Sequence, residues 1–131
     1  MIYLSDIRDW LKQYNIAEHY YVGRLDGKKD KSLGVYQRKN PAPPVIAIGQ
    51  KSSYQIKSIS LLLHWNKNST ETEKAAYELY KQLEAVSSLQ INETQIYALS
   101  LLQSEPVDVG SDDNGVYERV IEFDLYYERN E

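Results

Sequence analysis

The sequence predicts an α+β fold in which a mostly antiparallel sheet has two helices packed on one face. Two segments, 5–14 and 70–88, place apolar residues at the 3.6-residue spacing of amphipathic helices. The other apolar segments alternate with polar residues and are separated by short turns, as antiparallel strands are. The chain has 131 residues, a usual length for one domain, so we expect a single domain over 1–131.

Both predicted helices carry start signals. Ser5 is the expected N-cap of the first helix, whose buried side includes Ile7, Trp10 and Leu11. Thr70 is the expected N-cap of the second helix, because acidic residues fill the following turn. The predicted buried stripe of this helix consists of Ala75, Ala76, Leu79, Leu83 and Val86.

The first predicted strands precede the long helix. Segments 18–26 and 33–38 are expected to form a hairpin, because Asp26-Gly27 is a turn signal between them. The proline-rich stretch 40–44 breaks regular structure, and 45–48 is expected to be a short edge strand. Segment 55–65 predicts the central strand, with alternate apolar residues facing the core.

Two further strands follow the long helix. Segment 96–103 predicts one strand, and Pro106 interrupts its continuation at 107–109. The glycine- and aspartate-rich segment 110–115 predicts a turn into the last strand, 116–129. The alternation of apolar and acidic residues along that strand predicts one solvated face. Its length predicts an extension beyond the core on one side.

Composition excludes several classes of function. The net charge is −4 and the chain has no cysteine, so neither general nucleic-acid attraction nor a thiolate or disulfide site is expected. The N-terminus lacks the features of a signal peptide, and the longest apolar run, Leu61-Leu62-Leu63, is far too short for a membrane span. Twelve tyrosines suit either strands or protein interfaces.

We expect no catalytic, cofactor-binding or metal-binding residues. The two histidines, His19 and His64, are not at metal-ligand spacing. Residues 49–53 lack the first glycine of a phosphate-binding loop, and 112–115 lacks the distal glutamate of a calcium loop, since position 121 is Ile121. The basic segment 28–31 is expected to be a solvated turn, and the acidic residues of the last strand a solvated or interface face.

Two segments resemble a known family. Residues 56–83 read IKSISLLLHWNKNSTETEKAAYELYKQL, and residues 115–128 read GVYERVIEFDLYYE. Together they resemble the bacteriophage minor capsid and tail-terminator group of head–tail joining proteins. The resemblance implies a tail-terminator-like domain that acts without catalysis as a ring, expected to be a hexamer, at the end of a phage tail.

The resemblance also implies the partners and the location. The ring would end growth of the tail tube, contact the tail-tube protein and the head-side connector protein, and let DNA pass through its lumen. It would belong to the virion tail or neck, after assembly in the bacterial host cytoplasm. The side chains expected at protein interfaces are Tyr20, Tyr21, Tyr77, Lys81, Tyr126 and Tyr127.

Two other classes of function remain open from the sequence. A bacterial non-enzymatic adaptor or ligand-binding domain would use the same sheet and would need an apolar pocket with convergent polar groups. An enzyme would need a cleft containing a carboxylate or histidine with a strongly shifted pKa.

Overall fold

The computed structural model describes residues 1–45 and 54–129. These residues form two α-helices, one 3₁₀ turn and seven strands. In chain order they are α1 (Leu4–Leu11), the 3₁₀ turn (Lys12–Tyr14), β1 (His19–Val22), β2 (Ser32–Gln37), β3 (Tyr54–His64), α2 (Ser69–Glu84), β4 (Leu89–Ile91), β5 (Thr94–Leu101), β6 (Val107–Ser111) and β7 (Tyr117–Glu128). The predicted strand 45–48 lies, apart from Val45, outside the described residues.

The seven strands form one mixed sheet in the order β1-β2-β3-β7-β5-β4, and β6 also pairs with β7. Every strand pair is antiparallel except β1 with β2. The predicted α+β class and the mostly antiparallel sheet are therefore confirmed. Within the sheet β7 is central, because β3 pairs with one side of it and β5 and β6 pair with successive parts of the other side.

The predicted hairpin between the first two strands is wrong. β1 and β2 run parallel, with His19 opposite Ser32 and Val22 opposite Val35. The backbone does turn after Asp26, whose carbonyl accepts a hydrogen bond from an amide three residues on, but the chain then continues back to the start of β2. Because β1 has four residues and spans only about 13 Å, the connection 23–31 is long enough for this return.

The core lies on one face of the sheet, and β2, β3 and β7 contribute their odd-numbered residues to it. Both helices contribute side chains to the same hydrophobic cluster. The helical members include Ile7, Trp10, Leu11, Ala76, Leu79, Tyr80 and Leu83, and the strand members include Leu33, Val35, Ile59, Leu61, Leu63, Ile121, Phe123, Leu125 and Tyr127. Because side chains alternate between faces along each strand, the even-numbered residues of these three strands point away from this core.

The helix starts differ from those predicted. The side chain of Asn68 caps α2 by accepting hydrogen bonds from the amides of Thr70 and Glu71, each at 3.1 Å. Thr70 is thus inside the first turn, because an asparagine two residues earlier supplies the cap. In α1 the Asp6 carboxylate accepts from the Tyr3 amide at 2.9 Å, and Tyr3 rather than Ser5 is the N-cap residue.

The buried side of α2 also differs in part. Ala76, Leu79 and Leu83 are buried as predicted, together with Thr72 and Tyr80. Ala75 and Val86 pack only partly against the cluster, and α2 ends at Glu84 rather than near 88.

The last third of the chain contains one strand that was not predicted. β4 has only three residues and joins β5 through Asn92 and Glu93, which both have positive φ values, 47° and 67°. Such left-handed pairs form tight hairpin turns. The predicted break at Pro106 is confirmed, because β5 ends before it and β6 begins directly after it.

The expectation that the last strand extends beyond the core is wrong. β3 pairs with β7 from Glu118 to Glu128, and β5 and β6 cover parts of the opposite side. The whole length of β7 is used in pairing with three strands, β3, β5 and β6.

We predict that Gly34→Ala lowers the free energy of unfolding by about 1–2 kcal/mol, because a Cβ there would lie 2.6 Å from Cε1 of the Tyr36 ring. Urea unfolding measures the change. Gly27→Ala is the matched control, since none of the described neighbouring atoms lies within 4 Å of a Cβ at that position. In a Tyr36→Ala background the Gly34 substitution should cost nothing, and an equal cost in both backgrounds would contradict the steric explanation.

Candidate assembly surfaces

The face of the sheet opposite the core is here called the open face, and it carries the even-numbered residues of β2, β3 and β7. Its centre forms a groove of about 650 Å³. Half-buried Leu62 and Val120 lie side by side on adjacent strands in this groove. The other lining residues are Tyr36, Gln37, Arg38, Lys39, Asn40, Ser60 and Glu122. The groove therefore combines an apolar centre with charged margins, a composition suited to contact with another protein surface.

A polar network fixes one border of the groove. Arg38 Nη2 donates to Asp124 Oδ1 at 2.9 Å and to Ser58 Oγ at 3.3 Å. Ser58 Oγ also accepts from the amide of Ala42 at 3.0 Å, and Arg38 Nη1 donates to the carbonyl of Asn40. Because the Arg38 and Asp124 side chains are only 16% and 10% exposed, this pair attaches the chain after β2 firmly to β3 and β7.

His64 occupies the other end of the open face and is almost fully buried. Its Nδ1 lies 2.8 Å from Oε2 of Glu118 on β7, and its Nε2 lies 3.0 Å from the carbonyl oxygen of Gly27. Both ring nitrogens of His64 thus lie within hydrogen-bond distance of an oxygen atom on another segment. His64 thereby connects β3, β7 and the 23–31 connection, which fits the structural role expected for a buried histidine.

Asp112 closes the turn between β6 and β7. Its Oδ1 accepts from the amides of Val116 and Asn114, each at 2.9 Å. The hydrogen bond from Val116 is the main reason that the pKa of the Asp112 carboxyl lies below its usual value; partial burial opposes it, and Asn114, His64 and Lys67 add to the lowering. The segment 112–115 is therefore a hydrogen-bonded turn, as its sequence predicts.

The β5–β6 side of the sheet exposes large apolar side chains. Val109 is 49% exposed, Tyr97 48%, Leu102 40% and Val107 38%. The sequence analysis did not select these residues, although Val107 and Val109 follow Pro106 in a short alternating pattern that is typical of an edge strand. A strand edge with exposed valines is a candidate contact surface.

The structure places the tyrosines of the first strand on different faces. Tyr20 is half-buried against the core cluster, and its hydroxyl accepts from the amide of Ala17 at 3.1 Å. Tyr21 lies opposite Gly34, on the open face, next to the 23–31 connection. Both belong to β1, the edge strand, so either can contribute to a contact at that edge.

The remaining predicted interface residues are also separated in space. Tyr126 is half-buried on the open face against Tyr54, with ring centroids 5.5 Å apart. Tyr127 belongs to the core and is only 5% exposed, which leaves little of its side chain for a partner. On α2, Tyr77 is 45% exposed and the Lys81 ammonium lies 5.4 Å from its ring centroid, so these two form one exposed pair.

Clusters of metal-ligand side chains and membrane-spanning helices were both sought among the described residues. No cluster of three or more histidine or acidic side chains among them is arranged to hold a metal ion. Likewise, no helix in the described ranges 1–45 and 54–129 is long and apolar enough to cross a membrane.

We predict that Asp124→Ala lowers the free energy of unfolding by about 3 kcal/mol, because it leaves the largely buried Arg38 guanidinium without its charge partner. Asp9→Ala is the matched control: Asp9 contacts Arg8 and Lys12 on the surface, and its loss should change stability by less than about 0.5 kcal/mol. Thermal or urea unfolding compares the two variants. Equal effects would show that the Arg38–Asp124 pair contributes no more than a surface contact.

We also predict a pH dependence that originates at Asp112. A carboxyl group whose pKa is lowered by folding stabilises the folded state above its unfolded pKa, and this contribution is lost as the pH falls through the folded value. Asp112→Asn should therefore be less stable than the natural chain at pH 7, and the difference should shrink as the pH falls below about 5.

Urea midpoints between pH 7 and pH 3 measure this difference, at about one-unit steps. Asp113→Asn, at the exposed neighbour, is the control, because it removes an adjacent carboxylate and keeps the hydrogen bonds of Asp112. A constant difference for Asp112→Asn would contradict the prediction.

Comparison with known proteins agrees with the resemblance seen in segments 56–83 and 115–128. The family profile described as Bacteriophage tail terminator protein matches residues 5–129, a range that includes α2, all seven strands and all but the first residue of α1. A search of curated proteins gives no match. Since the profile spans nearly the whole chain, this protein belongs to the bacteriophage tail terminator family and is a structural component of the phage tail.

Proposed function

We propose that the chain forms a ring, expected to be a hexamer, which ends growth of the tail tube and joins the tail to the head-side connector. The family match over residues 5–129 carries this proposal. In this role the chain is a minor capsid component of a phage or prophage. It acts without catalysis, as one domain over 1–131 that is assembled in the host cytoplasm.

The distribution of buried and exposed surface supports a role in assembly. Because α1 and α2 share one core cluster with the odd-numbered residues of β2, β3 and β7, we infer that both helices cover the same face of the sheet. The open face, with its groove and half-buried Leu62 and Val120, then remains available to a neighbour. A ring protomer needs two different contact surfaces, since head-to-tail contacts join unlike patches.

The charge of the chain fits passage of DNA rather than its capture. The net charge is −4, so the protein does not generally attract the phosphate backbone of DNA. A ring of such subunits leaves DNA free to move through its lumen.

The alternative of a bacterial adaptor or ligand-binding domain would use the groove on the open face. That groove has an apolar centre formed by Leu62 and Val120, together with Arg38 and Glu122 at its margins. That function would require a ligand whose binding Leu62→Asp abolishes, and it predicts that the chain has no effect on tail-tube length.

The experiment that tests the proposed function is tail-tube assembly in vitro. The tail-tube protein of the same phage alone should polymerise into tubes of open-ended length. Addition of this chain should stop elongation and leave a ring visible at one tube end by electron microscopy. Light scattering should give an oligomer several times the 15.2 kDa mass of the chain. A chain that stays monomeric at high concentration and leaves tube length unchanged would contradict the proposal.

A further inference from the structure

Three strands of the sheet, β1, β4 and β6, pair on one side only among the described residues. β1 pairs with β2, and β6 pairs with β7. They lie at the two ends of one row of five strands, because Tyr21, Gly34, Leu62, Val120 and Val107 follow one another across the sheet. We propose that β6 of one copy pairs with β1 of the next copy, so that the sheet continues from subunit to subunit. This inference rests on the ring proposed above.

The backbone of β6 has hydrogen-bonding groups that point outward. On β7 the amide and carbonyl of Tyr117 bond to Asn66 and Trp65, on the β3 side. The backbone amides and carbonyls of the even-numbered residues of β7 therefore point toward β5 and β6. The hydrogen bond from the Leu102 amide to the carbonyl of Glu122 is an example. The amide and carbonyl of Val107, which lies opposite Val120, consequently point toward β7. The amide and carbonyl of the next residue, Asp108, face away from the sheet.

The backbone of β1 also has amides and carbonyls that point outward from the sheet. The amides of His19 and Gly23 bond toward β2, to the carbonyls of Lys31 and Val35. Since backbone groups alternate along a strand, the amides and carbonyls of Tyr20 and Val22 point outward. Each edge thus presents donors and acceptors that a neighbouring strand can use.

Charge opposes the pairing of one β6 edge with another. Segment 102–115, which contains β6, has Glu105, Asp108, Asp112 and Asp113 and no basic residue, which gives −4, whereas segment 18–24, which contains β1, has one acidic and one basic residue. The β6 edge therefore repels a second β6 edge but not the β1 edge. This favours the head-to-tail contact over a symmetric dimer through β6.

Strand direction agrees with this pairing. β1 and β7 run one way, and β3 and β6 run the other way, because β1 is parallel to β2 and all other contacts in the row are antiparallel. A rotation about an axis along the strands preserves these directions. β6 then meets β1 of the neighbour in the antiparallel orientation, the more stable of the two kinds of pairing.

Two proline variants test the inference, because proline removes an outward amide without altering the inward ladder. Asp108→Pro blocks the β6 edge and Val22→Pro blocks the β1 edge. Each alone should shift the species measured by light scattering from the ring to the 15.2 kDa chain. Asp108→Asn keeps the amide and is the matched control, which should still form rings.

Mixing the two blocked variants gives the decisive result. Each variant retains one intact edge, so an equimolar mixture should form a complex of two chains and nothing larger. That complex also shows that both variants are folded. Rings that persist in both proline variants, or a mixture of folded variants that stays monomeric, would overturn the inference and leave the proposed function standing. Failure of the natural chain itself to form any oligomer would contradict the proposed function.

Amide hydrogen exchange gives an independent test should a proline variant not fold. The outward amides of Asp108 and Val22 should exchange more slowly in the ring than in the same chain diluted to its monomer, because strand pairing protects them. Equal exchange of these two amides in the ring and in the monomer would contradict pairing of the β6 and β1 edges.

Discussion

The antiparallel pairing of β3 with β7 is the contact on which the rest of the structure depends. It runs from Tyr54 opposite Glu128 to His64 opposite Glu118, and it places fully buried residues such as Leu61 and Ile121 side by side on the core face. The same two strands carry the polar contacts of the opposite face, since Asp124 holds Arg38 and Glu118 holds His64. The α2 helix, the proline-rich segment and the 23–31 connection are thus attached to this pair of strands, and α1 packs beside them against β1 and β2.

Much of this arrangement could be predicted from the sequence, because periodicity is a local property. The alternation in 55–65 and 116–129 and the helical spacing in 70–88 identified the longest elements. The parallel course of β1 could not be predicted from Asp26-Gly27, because a turn signal specifies a local change of direction and not which strands pair afterwards. β4 was missed because three residues contain too little alternation to detect.

The candidate surfaces were less predictable than the core. Whether a tyrosine is buried depends on which face of the sheet it points to and on what packs against that face. The consecutive residues Tyr126 and Tyr127 point to opposite faces, so Tyr127 is in the core while Tyr126 is on the open face. The Arg38–Asp124 pair joins residues that are 86 positions apart, and no local sequence pattern predicts such a contact. The free β6 edge depends on where its neighbours end, which only the sheet order reveals.

The break at Pro106 divides one side of β7 between two strands, β5 and β6, whose outer sides differ in coverage. β5 is covered at its start by β4, whereas β6 has an uncovered outer side among the described residues. The outer side of β6 is therefore a short strand template of the kind that can recruit unrelated chains. Acidic residues at and around this strand disfavour its pairing with a second copy of itself, which is a common protection of exposed strand edges against aggregation.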